Sequence, residues 1–117
     1  ELIKYKGYQV APALLEGVLA THPGVADAAV IGVPDEEAGE VPKAFVSLKA
    51  PASPDEILAF AAARLAPYER IRELELVETV PRSPSGKLLR RLLRDREREA
   101  RARAWTRFAG DDAAHAP

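Results

Sequence analysis

Pro84-Ser85-Gly86-Lys87 sets one lysine at the end of a turn, directly ahead of Leu88, Leu89 and Arg90. An ammonium held there can stabilise negative charge that develops on a bound oxyanion. Pro84 has no backbone donor, and Gly86 admits backbone angles barred to other residues. The turn therefore reads as small and flexible, able to carry Lys87 into a cleft that this chain does not itself contain. A second group is Lys4, Lys6, Gly7, Tyr8 and Gln9, where a glycine between polar side chains would let a ligand approach the backbone closely. The acidic stretch Asp35 to Glu40 is a third. Each has a plainer reading: a solvated loop lysine, a hairpin glycine, a solvated acidic loop. No catalytic triad and no paired carboxylates can be assembled, and on its own the chain contains no active site. There is no cysteine, which excludes thiol chemistry, disulfides and cysteine-based zinc sites. His22 and His115 lie far apart in sequence, so no histidine metal site is expected.

The elements that must position these groups read as α+β: a small three-stranded antiparallel sheet with packed helices and an N-terminal β-hairpin. Residues 1–10 alternate around Gly7 and form the hairpin. Pro12 suits the first turn of a helix whose buried stripe is Leu15, Val18 and Leu19, and His22-Pro23-Gly24 ends it. Val25 to Val33 is a strand, residues 34–40 a loop, and Pro42 to Lys49 a second strand antiparallel to the first. Ser53 caps the next helix, with Pro54 at its first position and Glu56 completing a capping box. Ile57, Leu58, Ala61 and Leu65 face its core, and Pro67 stops it. Ile71 to Val77 is the third strand. Leu88, Leu89, Leu92 and Leu93 then recur at helical spacing, with arginines on the other face, to about Trp105. Trp105 and Phe108 read as caps of the core or of an interface. One domain spans residues 1–108, and residues 109–117 read as a disordered tail.

The net charge of −1 over 117 residues hides an asymmetry. Residues 1–81 carry seven basic and thirteen acidic side chains, whereas residues 82–107 carry ten basic and three acidic ones. A basic segment of this kind suits a solvated helix face, polyphosphate or nucleic acid. No aromatic platform interleaves with the arginines, which disfavours nucleic acid. No apolar run approaches the ~20 residues needed to cross a bilayer, and a cytoplasmic setting is the default expectation. The chain opens at Glu1 without methionine and reads as a piece of a longer protein.

Ordered blocks across residues 1–95 resemble the acyl-adenylate-forming enzymes, which include acyl-CoA synthetases, coumarate–CoA ligases, luciferase and peptide-synthetase adenylation domains. The blocks are Glu1 to Pro12, His22 to Val25, Gly32 to Val46, Leu65 to Tyr68, and Val80-Pro81-Arg82-Ser83-Pro84-Ser85-Gly86-Lys87. The chain is similar to the small C-terminal domain of a carboxylate–CoA ligase, and Tyr5 to Pro12 sits nearest the coumarate and medium- or long-chain acyl branch. Two departures stand out: Leu14 replaces the family's usual Glu, although Glu16 is kept, and Glu69 follows Tyr68 in place of Lys.

The resemblance implies a two-step reaction. A carboxylate attacks the α-phosphate of Mg²⁺-ATP to give acyl-AMP and pyrophosphate, and the thiol of coenzyme A then displaces AMP. The partner is a large N-terminal adenylation domain of the same protein, which holds ATP and the carboxylic acid. The small domain swings about a hinge and presents a different face in each step. The resemblance assigns Lys87 to adenylation, and Lys4 and Gln9 to catalysis or substrate orientation in the second step. Lys6, Gly7 and Tyr8 fall to the coenzyme A side. It implies no metal ligand in this chain, no nucleic-acid partner and no transmembrane segment, and the isolated fragment is expected to be inactive. The rival readings are the corresponding part of a non-ribosomal peptide synthetase, a luciferase-like enzyme, and, more remotely, a basic nucleic-acid-binding module.

Overall fold

A long antiparallel hairpin forms the spine of the molecule, and every other element hangs from it. The computed structural model describes residues 1–114, with side chains through Arg107. Chain order is β1 (Ile3–Tyr5), β2 (Tyr8–Val10), α1 (Pro12–Ala20), β3 (Val25–Asp35), β4 (Gly39–Leu48), α2 (Pro54–Ala62), a 3-10 turn (Pro67–Glu69), β5 (Glu73–Leu76) and α3 (Arg90–Ala114). β3 and β4 pair from Val25↔Leu48 to Asp35↔Gly39. The other edge of β4 takes β1 at Tyr5↔Gly39 and, further along, β5 from Lys43↔Glu73 to Val46↔Leu76.

The sheet therefore has five strands rather than the three expected, because the N-terminal hairpin joins it. The expected third strand exists but is shorter and runs parallel to β4. Its connection from β4 passes through α2, and a crossover of that length brings a strand back in the same direction. The loop expected at residues 34–40 is mostly strand, with a turn left only between Asp35 and Gly39. Gly39, at φ +88°, supplies the backbone angle that lets β4 begin so soon.

Both faces of the β3–β4 hairpin are buried. Ala28, Val30, Ala44 and Val46 pack with Leu15 and Leu19 of α1, with Ile57 and Ala61 of α2, and with Ile3 and Val10 of the small hairpin. Ala29, Ile31, Val33, Val41 and Phe45 pack on the other face with Val80 and Leu93. This explains the unbroken apolar run in β3: a strand covered on both sides gains nothing from alternation. Each fully buried Leu, Ile or Val side chain contributes roughly 1.5–3 kcal/mol.

The helices follow their local signals, with two shifts. Ser53 Oγ accepts the Glu56 backbone N–H at 3.1 Å and caps α2, while Pro12 and Pro54 open α1 and α2. α2 ends at Ala62, short of Pro67, so Leu65 packs against the core from the following loop. The final helix begins at Arg90 rather than at Leu88, because Leu88 bridges back to Arg82 in an antiparallel pair. α3 buries Leu93 and leaves Leu92 47% exposed. Residues 109–114, assigned to the tail by sequence, continue α3; residues 115–117 of that tail, and the side chain of Phe108, lie outside the described residues.

So thin an apolar contact is reinforced by ions. Lys43 Nζ, buried in the middle of β4, bonds both carboxylate oxygens of Glu97 at 2.8 and 3.0 Å and Glu75 at 3.2 Å. Burial pushes the Lys43 ammonium down, but the bonds to Glu97 and Glu75 outweigh it and leave its pKa raised. Arg101 adds bonds to Glu97 and Glu73. Arg90 reaches Glu16 and Arg94 reaches Glu1. Removing Glu97 leaves the buried Lys43 ammonium with only its longer bond to Glu75, so Glu97→Ala should cost up to about 3 kcal/mol in urea unfolding. Replacing both Lys43 and Glu97 with leucine should leave stability at or above wild type. Similar losses in the single and double variants would mean that shape, not charge, holds α3.

Candidate functional site

The Lys87 turn is built more tightly than its sequence indicates. Arg82 and Leu88 pair across it. The Ser83 N–H donates to the Lys87 carbonyl at 2.8 Å, the Gly86 N–H to the Ser83 carbonyl at 2.8 Å, and the Lys87 N–H to Ser83 Oγ at 3.1 Å. Gly86 sits at φ +86°. The turn is thus a hydrogen-bonded pedestal, not the flexible segment expected. Lys87 is exposed at its tip, and its ammonium bonds to no described residue.

A clamp that sequence reading missed fixes the pedestal to the sheet. Arg82 Nε and Nη2 each donate to one oxygen of Asp27 at 2.7 Å, and Nη1 donates to the Gly86 carbonyl at 2.8 Å. The register shift between Val25 and Asp27 is a β-bulge, the device that re-aims a side chain from a strand. The fork-to-fork match of guanidinium and carboxylate fixes direction as well as distance. Arg82 holds the Asp27 carboxyl below its usual value of 3.8. The only sequence signal for this pair was an acid inside an otherwise apolar strand.

The second group assembles at the other end. Lys6, at φ 47°, and Gly7, at φ +84°, form a two-residue turn between β1 and β2. The register pairs Ile3↔Val10, Lys4↔Gln9 and Tyr5↔Tyr8. Ile3 and Val10 are buried, so Lys4 and Gln9 stand side by side on the opposite, solvent face. Tyr8 stacks on Tyr68, with ring centroids 4.5 Å apart, and Arg72 donates to the Tyr5 hydroxyl at 2.8 Å. A Cβ added at Gly7 would meet nothing within 4 Å, so the glycine faces open space.

The structure gathers Lys4, Lys6, Gly7 and Gln9 at one hairpin, and the Lys87 turn is anchored elsewhere; Tyr8, across from Tyr5, points to the opposite face with Ile3 and Val10 and stacks on Tyr68. Asp27, which anchors Lys87, and Asp35, beside the turn that anchors the hairpin, lie at opposite ends of β3. Eight residues of strand separate them, about 26 Å at ~3.3 Å per residue. His22 is accounted for by structure: its Nδ1 accepts the Gly24 N–H at 2.9 Å and its ring meets Phe60 edge-on. Of the family departures, Glu69 accepts the Ala66 N–H at 2.9 Å and Leu14 is an exposed α1 residue. No cluster able to hold a metal ion, and no helix long and apolar enough to cross a membrane, occurs among the described residues.

These features define a small α+β domain that carries exposed cations on two separately anchored turns. The family model described as the AMP-binding enzyme C-terminal domain matches residues 14–87, and the chain belongs to that family. It is 61% identical over 97 residues to 4-coumarate–CoA ligase-like 9 of Oryza sativa subsp. japonica, covering 81% of this chain and 18% of that protein. It is 55% identical over 93 residues to peroxisomal OPC-8:0-CoA ligase 1 of Arabidopsis thaliana, covering 78% and 17%. Among solved structures, o-succinylbenzoate CoA synthetase of Bacillus subtilis with its acyl-adenylate intermediate superposes with a TM-score of 0.75 at 39% identity, over 79% of this chain and 19% of that one. The chain thus spans about a fifth of the length of the relatives it matches. One of these relatives is named as peroxisomal, and the cytoplasmic expectation is not confirmed.

The clamp should titrate with acid. Asp27 has a lowered folded pKa, so its contribution is complete above the ordinary carboxylate pKa of 3.8 and is lost as pH falls through the lower folded value. The hydrogen-bonded Arg82 Nε–H resonance should therefore persist at pH 3.8 and fade only as pH falls below it, and Asp27→Asn should weaken it at neutral pH. Because the pair is partly exposed, global stability should change by no more than about 1 kcal/mol. An Arg82 resonance unchanged from pH 6 to pH 2 would show that Asp27 does not hold the turn.

Proposed function

We propose that this domain completes the active site of an AMP-forming carboxylate–CoA ligase, serving adenylation with one end and thioester formation with the other. Family membership and the CoA-ligase relatives support the general reaction. The observation that carries the two-face reading is the distance between the ends. The anchors of the Lys87 turn and of the Lys4–Gln9 hairpin lie at opposite ends of β3, which supports a domain that turns to present each end in its own step.

In the first step a carboxylate oxygen of the substrate acid attacks the α-phosphate of ATP, and the bond to pyrophosphate breaks. Negative charge gathers around that phosphorus. Lys87, held by its pedestal with no competing carboxylate among the described residues, would meet that charge without reorganising. Mg²⁺, where bound with ATP, would neutralise phosphate charge from the partner domain. In the second step the coenzyme A thiol attacks the acyl carbonyl and AMP leaves with the bonding pair. Gly7 would leave the thiol's path open, Lys6 and Tyr8 would line it, and Lys4 and Gln9 would orient the adenylate.

The CoA-ligase names of the relatives favour free coenzyme A over a carrier-protein thiol or oxygen as acceptor. The nucleic-acid reading loses support because Arg82, Arg90, Arg94 and Arg101 are committed to carboxylates of this chain.

The two faces give opposite predictions in the complete enzyme. Lys87→Ala should slow acyl-AMP formation on the order of 10²–10³-fold, by analogy with a lost oxyanion donor, and nearly spare coenzyme A transfer from pre-made acyl-AMP. Equal losses in both steps would sink the assignment.

Gly7→Leu should do the reverse, sparing adenylation and cutting transfer about 10²-fold. Gly7→Ala carries the same positive-φ penalty with far less reach, so melting temperatures and the Leu–Ala difference separate blockage from strain. A folded Gly7→Leu enzyme with normal transfer would make Gly7 a plain turn residue.

A further inference from the structure

The acidic stretch at the β3–β4 turn leaves Asp35, Glu36 and Glu37 exposed, but it is not solvated throughout. Its last acid, Glu40, points onto the small hairpin: the Lys4 backbone N–H donates to Glu40 Oε1 at 2.9 Å. The bond replaces a missing ladder contact, because β1 and β4 share one register pair, Tyr5↔Gly39. On the other side of that pair the Lys6 N–H donates to the Ala38 carbonyl at 2.8 Å. Three consecutive residues of β1 and its turn are thus held by three consecutive residues of the β3–β4 turn. Two attachments are backbone only. Glu40 is the one made by a side chain.

Two glycines make room for it. A Cβ at Gly32 would lie 3.1 Å from Glu40 Cδ and Oε2, and 3.2 Å from Oε1, so any larger residue there would move the carboxylate. At Gly39 a Cβ would approach the Lys4 carbonyl to 3.4 Å, and the backbone sits at φ +88°. Gly32 lies across the hairpin from Pro42, and Glu40 across from Pro34, so the two are diagonal neighbours on one face. The carboxylate fills the space where the Gly32 side chain would be.

We infer that Glu40, seated over Gly32, is a positioning residue that sets the height and direction of Lys4, and with it the Lys4–Gln9 face, for the thioester-forming step. The inference rests on the assignment of that face under Proposed function. Glu40 touches no substrate in this role. It acts through the backbone of Lys4, two residues before the tight turn at Lys6 and Gly7. Displacement of a reacting group by ~1 Å can cost about 10²-fold, so a single lost tether is enough to be read kinetically.

The test combines this chain with the complete enzyme. In the chain, Glu40→Ala should speed hydrogen exchange at the Lys4 amide at least 10-fold while amides in the Val30 to Val46 core keep their protection. In the enzyme, Glu40→Ala should lower the rate of coenzyme A transfer about 10- to 100-fold, with adenylation within about 3-fold. Glu40→Gln keeps an acceptor oxygen and should restore both the Lys4 protection and most of the transfer rate. Gly32→Ala, which leaves Glu40 intact but shifts it, should follow Glu40→Ala in both readouts. If Glu40→Ala spares transfer while Lys4→Ala abolishes it, the tether plays no part and the inference is wrong. If Lys4→Ala and Gly7→Leu also spare transfer, the assignment of the face has failed, and the inference falls with it. Equal slowing of both half-reactions by Glu40→Ala would reduce Glu40 to a general fold stabiliser and overturn the role.

Discussion

The pairing of β3 with β4, buried on both faces, is the constraint on which the other elements depend. Ten residues of β4 run beside eleven of β3 with ladder contacts along their length. Helices cover one face and the Val80–Leu93 segment the other. Such a strand pair cannot slip by one residue, because the shift would exchange its two apolar faces wholesale. Rigidity in the middle leaves the two ends as the places where chemistry can be displayed. One end carries Asp27 and the clamp on the Lys87 turn. At the other, Ala38, Gly39 and Glu40 carry the small hairpin. The distance between the faces is therefore a property of the ladder, not of the loops.

Electrostatics decides which cations remain available. Seventeen Lys and Arg face eighteen Asp and Glu in the whole chain, so a free ammonium has to be kept free. The arginines of α3 that face the body are consumed by Glu1, Glu16, Glu73 and Glu97. The exposed pairs Arg94–Glu1 and Arg101–Glu73 contribute little each, roughly 0–1 kcal/mol, and weaken with salt, whereas Arg90–Glu16 is part-buried. The buried Lys43–Glu97 pair is different: its charges lie out of water, and breaking it costs more than forming it returned. Arg82 takes Asp27, the acid beside the Lys87 turn. Among the described residues no carboxylate bonds the Lys87 ammonium, the condition under which its charge could act on a substrate as proposed.

Local chemistry was legible in the sequence, and long-range pairing was not. Pro12, Pro54 and Ser53 announced helix starts because their effects are confined to one turn. Lys4, Gly7 and Gln9 were readable as one surface because a two-residue turn fixes their register. The direction of β5 was hidden, since alternation at Leu74 and Leu76 is the same in either orientation. Leu88 looked helical from its spacing to Leu92, but pairing with Arg82 captured it first. No local signal in the sequence pairs Asp27, Arg82, Glu16 or Glu40 with a partner. Their partners lie 55, 74 and 36 residues away, beyond the reach of any periodicity.

Backbone strain follows the same division. Among the described residues positive φ occurs at Lys6, Gly7, Gly39 and Gly86, and all four lie in the segments that carry or hold the proposed faces. Three are glycines, for which the angle is nearly free. Lys6 is not, and a side chain in that region costs of order 1 kcal/mol or more unless the surroundings enforce it. Here they do. The Lys6 N–H is bound to the Ala38 carbonyl, its ammonium lies 5.6 Å from the Tyr5 ring centre, and Gly7 completes the turn. Asparagine or glycine would hold the same turn with less strain. A lysine is kept in a position whose backbone does not favour it, at the tip of a hairpin otherwise tethered through Lys4 and Tyr5. The cost of local strain therefore falls on the face proposed to meet coenzyme A.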